Sequence, residues 1–180
     1  MANKSNKNSN QSSHKIPFPL ASLPAVLLPW YDREKRSLPW RDIVMPYRTW
    51  VSEIMLQQTR VQAVLPYFER FMAAAPDVPA LAELAEDRLL SLWQGLGYYS
   101  RARSLQRSAR VMVDQYGGCL PDTYSDLIQL PGIGDYTAGA ILSIAFNKPV
   151  PAVDGNVLRI AARLTACGDK TTPSDGDDQT

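Results

Sequence analysis

Leu130-Pro131-Gly132-Ile133-Gly134-Asp135-Tyr136-Thr137-Ala138-Gly139 is the stretch on which the fold turns. A proline and two glycines within four positions separate a short helical segment, 123–129, from a longer amphipathic one, 135–147, which reads as helix, hairpin, helix. Gly132 and Gly134 permit positive φ and leave the backbone bare. Their amides, with the N-terminus of the following helix, can therefore converge on a phosphate oxygen. A grip of that kind carries no information about base sequence. The same residues also fit an ordinary turn between two helices with Asp135 as the cap, so the reading depends on what surrounds them.

Outward from the hairpin, the chain from Pro29 to about Thr165 is a succession of helical patterns with short Gly/Pro breaks and no strand-like alternation of useful length. Helices are predicted at about 24–36, 47–57, 60–74, 79–85, 87–95, 99–116, 123–129, 135–147 and 154–166, punctuated by Pro46, Pro76, Pro121 and Pro131. Pro29 is expected to kink the first helix or delay its start. The fold class is all-α. Residues 1–22 are expected to be a disordered polar tail, 23–166 a helical domain with the hairpin at about 123–147, and 167–180 an unstructured acidic tail. Residues 16–30 follow three lysines and imitate a secretion signal, but Pro17, Pro19, Pro24 and Pro29 interrupt any apolar helix there. No apolar run reaches the ~18 residues that span a bilayer, so no membrane partner is expected.

Across 180 residues, 45% are hydrophobic and 21% charged, the balance of an ordinary globular protein. The net charge of +1 provides no whole-molecule field to draw in a polyanion, so any such site is a local arrangement of amides and cations. Cys119 and Cys167 are the only cysteines and His14 the only histidine, which excludes a closed zinc or iron–sulfur ligand set and suits a reducing cytosol.

Three further stretches carry chemistry. Glu53 is the only carboxylate in the helix containing YRTWVSEIMLQQT (47–59), and at 100° per residue it falls between Leu56 on one side and Trp50 and Gln57 on the other. Desolvation there raises its pKa and favours the protonated form that a general acid requires. An imperfect amphipathic face with Glu53 turned to solvent is the alternative. Asp154 in VDGNV (153–157) stands directly before the last helix, as a cap, as a fixed anion, or as both. A buried acid and a fixed anion together suit cleavage of a glycosidic bond through a cationic sugar. GLGYYSRAR (95–103) places two glycines and two tyrosines at the start of a helix bearing Arg101, Arg103, Arg107 and Arg110. Tyr98 there can wedge between bases while the arginines face phosphates, or be a loop tyrosine beside a solvated basic face.

Taken in order, LPWR (38–41), SEIMLQQT (52–59), GLGYYSRAR (95–103), LPGIGDYTAGAI (130–141) and VDGNVLR (153–159) resemble the MutY-type adenine glycosylases of the helix-hairpin-helix superfamily, over about 29–165. The resemblance implies a helix-hairpin-helix DNA glycosylase fold with a six-helix-barrel lobe, and base-excision repair in which an adenine mispaired with 8-oxoguanine or guanine is flipped out and its N-glycosidic bond hydrolysed. It implies that Glu53 protonates the adenine ring, that Asp154 stabilises the oxocarbenium-like sugar, and that Tyr136 contacts the same region. Trp40, Arg41 and Leu56 are then expected to line the adenine pocket. Gln58, Thr59 and Tyr98 are expected to enter the duplex, and Leu130, Gly132, Ile133 and Gly134 to hold its backbone. Related endonuclease III-type enzymes carry a lysine where this chain has Tyr136, so a monofunctional enzyme leaving an abasic site is expected. Double-stranded DNA is the expected partner, the chain is expected to be a monomer, and its place is the cytoplasm, at the nucleoid.

Members of this family continue with further helices, four cysteines that hold a [4Fe–4S] cluster, and usually a C-terminal domain. Past Ala166 the resemblance fades into CGDKTTPSDGDDQT. The expectation is therefore the catalytic half of such an enzyme, truncated, with an incomplete second lobe and no bound cofactor. A catalytically silent DNA-binding fragment is the competing reading.

Overall fold

The computed structural model describes residues 20–165, and every regular element among them is helical. Residues 1–19 and 166–180, and with them most of the polar tail and all of the acidic one, lie outside the described residues. Leu20–Ser22, expected to belong to the tail, form a single 3₁₀ turn. The chain divides into two compact units, Arg36–Asp154 and the chain on either side of it.

The central unit contains α2 (Pro39–Asp42), α3 (Pro46–Leu56), α4 (Val61–Ala74), α5 (Val78–Glu83), α6 (Glu86–Trp93), α7 (Tyr99–Tyr116), α8 (Tyr124–Leu127) and α9 (Asp135–Ala140). The second unit contains α1 (Leu23–Glu34) and α10 (Gly155–Thr165). Helix α1 starts at Leu23 with Pro24 in its first turn and passes through Pro29 as one segment. The start is therefore not delayed, because Pro24 supplies a helical φ where no intrahelical N–H is needed.

Local chemistry sets most helix ends. Pro46 opens α3 after the extended Met45. Asp77 caps α5 by accepting from the Ala80 amide at 2.8 Å, and Thr123 caps α8 by accepting from the Asp126 amide at 3.3 Å. Gly117, with φ +61°, ends α7 in the left-handed conformation that a glycine adopts without a Cβ penalty. Four residues are too few to show a period, so the sequence pattern does not reveal α2. The helix expected at 135–147 is α9 followed by a π-helical turn, Ile141–Ala145.

Helix α3 is the axis of the core, with Tyr47, Thr49, Trp50, Val51, Ser52, Ile54 and Met55 all buried. Phe68 and Phe71 come to it from α4, Trp93 from α6, and Leu105, Ala109 and Met112 from α7. The Phe71 and Trp93 rings meet edge to face at 6.0 Å. The Tyr47 hydroxyl donates to the Ala75 carbonyl at 2.8 Å, which satisfies a buried group and ties α3 to the end of α4. Ser108 of α7 donates to the Pro131 carbonyl at 2.7 Å and fixes the hairpin on the core.

Helix α9 is crossed at close range by residues 151–152. A Cβ on Gly139 would stand 2.3 Å from the Pro151 carbonyl oxygen, a backbone atom that cannot swing aside. Alanine inside a helix ordinarily adds up to about 1 kcal/mol over glycine. Overpacking against fixed backbone costs about 1–3 kcal/mol and outweighs that gain. Gly139→Ala is therefore expected to lower the urea midpoint of unfolding; a midpoint raised or unchanged would show that the two backbones do not meet.

Candidate active site

Glu53 lies on α3 between the buried Ser52 and Ile54, and is itself half-buried. The Tyr136 hydroxyl, delivered by the first turn of α9, donates a hydrogen bond to the Glu53 carboxylate. Asp154 is close enough to both groups for its charge to act on them, and Arg41, at the end of α2, acts on Glu53 from the other sign. Groups from three helices and one extended segment thus act on a single carboxyl.

Burial raises the Glu53 pKa and is the largest effect. The hydrogen bond from Tyr136 and the positive charge of Arg41 pull it down, while Asp154 pushes it up again. Desolvation wins, so the proton is held more tightly than on a free glutamate. Tyr136 is pushed up to about 12, first by burial, then by the Glu53 charge and hydrogen bond, then by Asp154. It remains a neutral donor through the physiological range. The arrangement can deliver a proton from Glu53 and present a second carboxylate, Asp154, to a developing cation.

The remaining candidates fall at several places around this centre. Trp40 is 6% exposed, with its ring edge-on to Phe68 at 5.1 Å, so most of its surface is core. Arg41 is exposed and Leu56 half-buried. Gln58 and Tyr98 are exposed and both adopt left-handed backbone, at φ 57° and 49°. Between Gln58 and the start of α4, Thr59 donates to the Gln57 carbonyl at 3.3 Å.

In the hairpin, Gly132 uses the positive φ that both glycines permit, at 81°, whereas Gly134 is at φ −101°. A Cβ on Gly132 would also stand 2.9 Å from Ser104 Cβ. The Leu130 and Ile133 side chains are buried, at 2% and 5% exposure, so they can offer a ligand only backbone. The Ile133 amide is already used on the Leu130 carbonyl at 3.1 Å. Asp135 does not cap α9: Gly134 occupies the cap position, and the Asp135 carboxylate accepts from the Tyr124 hydroxyl at 2.8 Å.

On α7, Arg103, Arg107 and Arg110 are exposed, as a solvated basic face requires, and Arg101 departs from it. Arg103 pairs with Glu86 at 2.8 Å, Arg107 donates to Ser104 Oγ at 3.0 Å, and Arg110 donates to the Ala82 carbonyl at 3.2 Å. Arg101 is turned inward, with both terminal nitrogens on protein oxygens. A sequence signal for this existed: Arg101 lies one turn before Leu105 on the stripe that continues through Ser108 and Met112, all buried.

Among the described residues, no three His, Cys, Asp or Glu side chains are grouped to hold a metal ion, and Cys119 is exposed. His14 and Cys167 lie outside the described residues. The residues in hand therefore do not fit an iron–sulfur ligand set, which takes Cys₄. Among the described residues no helix is long and apolar enough to cross a membrane.

Residues 51–177 match the family described as HhH-GPD superfamily base excision DNA repair protein. The mouse protein named adenine DNA glycosylase is 50% identical over 151 residues, covering 79% of this chain and 29% of its own length. The human protein of that name is 48% identical over 151 residues, covering 79% of this chain and 28% of its own length, and one from Buchnera aphidicola (strain Bp) is 44% identical over 139 residues, covering 77% and 40%. The chain thus spans well under half the length of these relatives. Among solved structures, a thermostable thymine-DNA glycosylase superposes with a TM-score of 0.73 at 27% identity, covering 78% of this chain and 65% of that one. An endonuclease III–DNA complex, at 22% identity and a TM-score of 0.70, covers 85% and 73% and shares the fold.

The electrostatics of the cluster make opposite demands on two substitutions. Tyr136→Phe removes a hydrogen bond that favours the ionised carboxylate, so the Glu53 pKa is expected to rise. Asp154→Asn removes a repelling negative charge, so the Glu53 pKa is expected to fall. The titrating carboxyl carbon of Glu53, followed by NMR in each variant, reads both, and shifts in the same direction would break the assignment.

Proposed function

Because this chain belongs to the HhH-GPD superfamily of base excision DNA repair proteins, we propose that its site hydrolyses the N-glycosidic bond of adenine in duplex DNA, opposite 8-oxoguanine or guanine. The observation that carries this reading is the contact of the half-buried Glu53 with Tyr136, within reach of the Asp154 charge.

The adenine is turned out of the stack and lies beside Trp40, Arg41 and Leu56. Glu53 passes its proton to a ring nitrogen, and the bond from the base to C1′ breaks with its electron pair leaving on the base. The sugar is left with oxocarbenium character, which the negative charge of Asp154 stabilises. Water adds at C1′, and its proton returns to the Glu53 carboxylate. Tyr136 orients Glu53 and has no amine with which to form a Schiff base, so the strand is left uncut at an abasic site.

Gln58, Thr59 and Tyr98 enter the duplex, and the bare backbone at Gly132 and Gly134, with the turn at Leu130 and Ile133, holds a phosphate. The named relatives support the choice of adenine. A monomer acting on chromosomal DNA in the cytoplasm, at the nucleoid, fits this reading. Relatives of full length would supply the [4Fe–4S] cluster from other residues, and no step above passes through it.

Single-turnover release of adenine from a duplex with A opposite 8-oxoguanine tests the proposal. Glu53→Gln is expected to lower the rate by about 10²–10⁴-fold while the duplex is still bound. In the unsubstituted chain the rate should fall as pH rises through the raised Glu53 pKa, since the protonated form is the active one. A chain that is folded and binds the duplex but releases no base would leave a DNA-binding module in place of the enzyme.

A further inference from the structure

Arg101 is held by six oxygen acceptors and two aromatic rings. Its guanidinium lies over two rings, 5.6 Å from the centroid of Trp93 and 5.5 Å from that of Tyr98. Nη1 donates to the carbonyls of Ile54 and Met55 at 3.0 Å and of Gln57 at 2.5 Å. Nη2 donates to the carbonyls of Leu96 and Gly97 at 3.2 Å and to Thr59 Oγ1 at 3.3 Å. Two NH₂ groups carry four hydrogens, so six acceptors share them, and the planar fork is what lets one side chain serve both sides.

The acceptors come from two separate turns. One is the end of α3 and residues 57–59, where helix-terminal carbonyls have no intrahelical partner and a cation is favoured. The other is residues 96–98, which lead into α7. At the crest of each turn stands one non-glycine residue in left-handed backbone, Gln58 and Tyr98, a conformation that persists only where neighbouring contacts impose it. Gln57 and Thr59 flank the first and are both held by Arg101. Gly97 precedes the second and is held as well, while the Tyr98 ring lies against the cation. Tyr98 itself is 62% exposed.

We propose that Arg101 is a positioning residue that locks these two turns into one two-pronged unit, so that Gln58 and Tyr98 enter the duplex at a fixed separation. This rests on the reading of duplex DNA as the substrate. Arg101 meets neither base nor phosphate in this role; it acts through the turns. A lysine cannot replace it, because a single ammonium cannot reach both turns and stack on both rings.

The test uses a duplex with 2-aminopurine beside the adenine, whose fluorescence rises when a side chain unstacks it, and the chain in the Glu53→Gln background so that no base is released. The parent is expected to raise the fluorescence. Arg101→Lys and Tyr98→Ala should each lower the enhancement, and the double variant should lose no more than Arg101→Lys alone, because an unlocked Tyr98 contributes little. With Glu53 intact, Arg101→Lys should reduce single-turnover release by about 10²-fold, the cost of a misplacement near 1 Å.

A parent without enhancement, a folded Arg101→Lys with the full enhancement, or losses that multiply in the double variant would overturn the proposal. Should Arg101→Lys not fold, Thr59→Val removes one acceptor and keeps the rest. Because Thr59 is itself read as entering the duplex, a partial loss in Thr59→Val supports the lock where adding Tyr98→Ala brings no further loss; losses that multiply, or no loss in Thr59→Val, assign Arg101 to folding alone. Enhancement that follows this pattern while no chain releases adenine would leave the lock standing and remove the catalytic reading.

Discussion

Desolvation of the Glu53 carboxyl is the effect to which the rest of the site is adjusted. A carboxylate withdrawn from water without compensation is expensive, and α3 buries the residues on both sides of Glu53, Ser52 and Ile54, among seven in all. The Tyr136 hydrogen bond and the Arg41 charge return part of what burial removes, so the group can still ionise. Had those two contacts outweighed burial, Glu53 would be an ordinary anion and a poor acid. Had they been missing, it would keep its proton and could not act as a base afterwards. Asp154 tips the balance back toward the protonated form by repulsion alone, a cost it imposes while serving as the anion that a cationic sugar needs.

That balance is geometric before it is electrostatic. Asp154 reaches the site because residues 151–152 lie directly on α9, and they can do so only where Gly139 has no side chain. The same helix presents Tyr136 one turn earlier. One short helix therefore sets the distance of both the hydrogen-bond donor and the second carboxylate from Glu53. The π-helical turn that follows, Ile141–Ala145, redirects the chain toward the extended segment that ends at Asp154. The Ser108 bond to the Pro131 carbonyl anchors the other end of the hairpin, so the element that is read as holding DNA and the element that holds the chemistry share a support.

The sequence makes the helices and the hairpin legible because Pro and Gly act locally: Pro46, Pro131, Gly117 and Gly132 each dictate a conformation within a residue or two. Glu53 is legible as the lone carboxylate in an apolar helix. Its partner is legible only through the family resemblance, since Tyr136 meets it when α9 packs across α3, and nothing local in YTAG announces that. Gly139 reads as a weak point in a helix until the backbone that crosses it is known. The arginines of α7 show where a count of charge misleads. Arg101 belongs by period to the buried stripe with Leu105 and Met112, whereas Arg103, Arg107 and Arg110 fall off it, and all four bond to groups of the protein itself.

With a net charge of +1, attraction to a polyanion cannot come from a whole-molecule field. On the proposed function, recognition then depends on fit. Backbone amides of a hairpin meet a phosphate as dipoles, releasing fewer counterions than Lys or Arg would, and two exposed side chains on rigid turns probe the stack for a pair that opens easily. Such a surface gains little by binding normal duplex tightly. It discriminates by the ease with which a mispaired base leaves the helix, because a weakly paired base costs less to unstack. The rigidity of the probing turns matters more to this scheme than the strength of the grip, and that rigidity is concentrated in the contacts of one guanidinium.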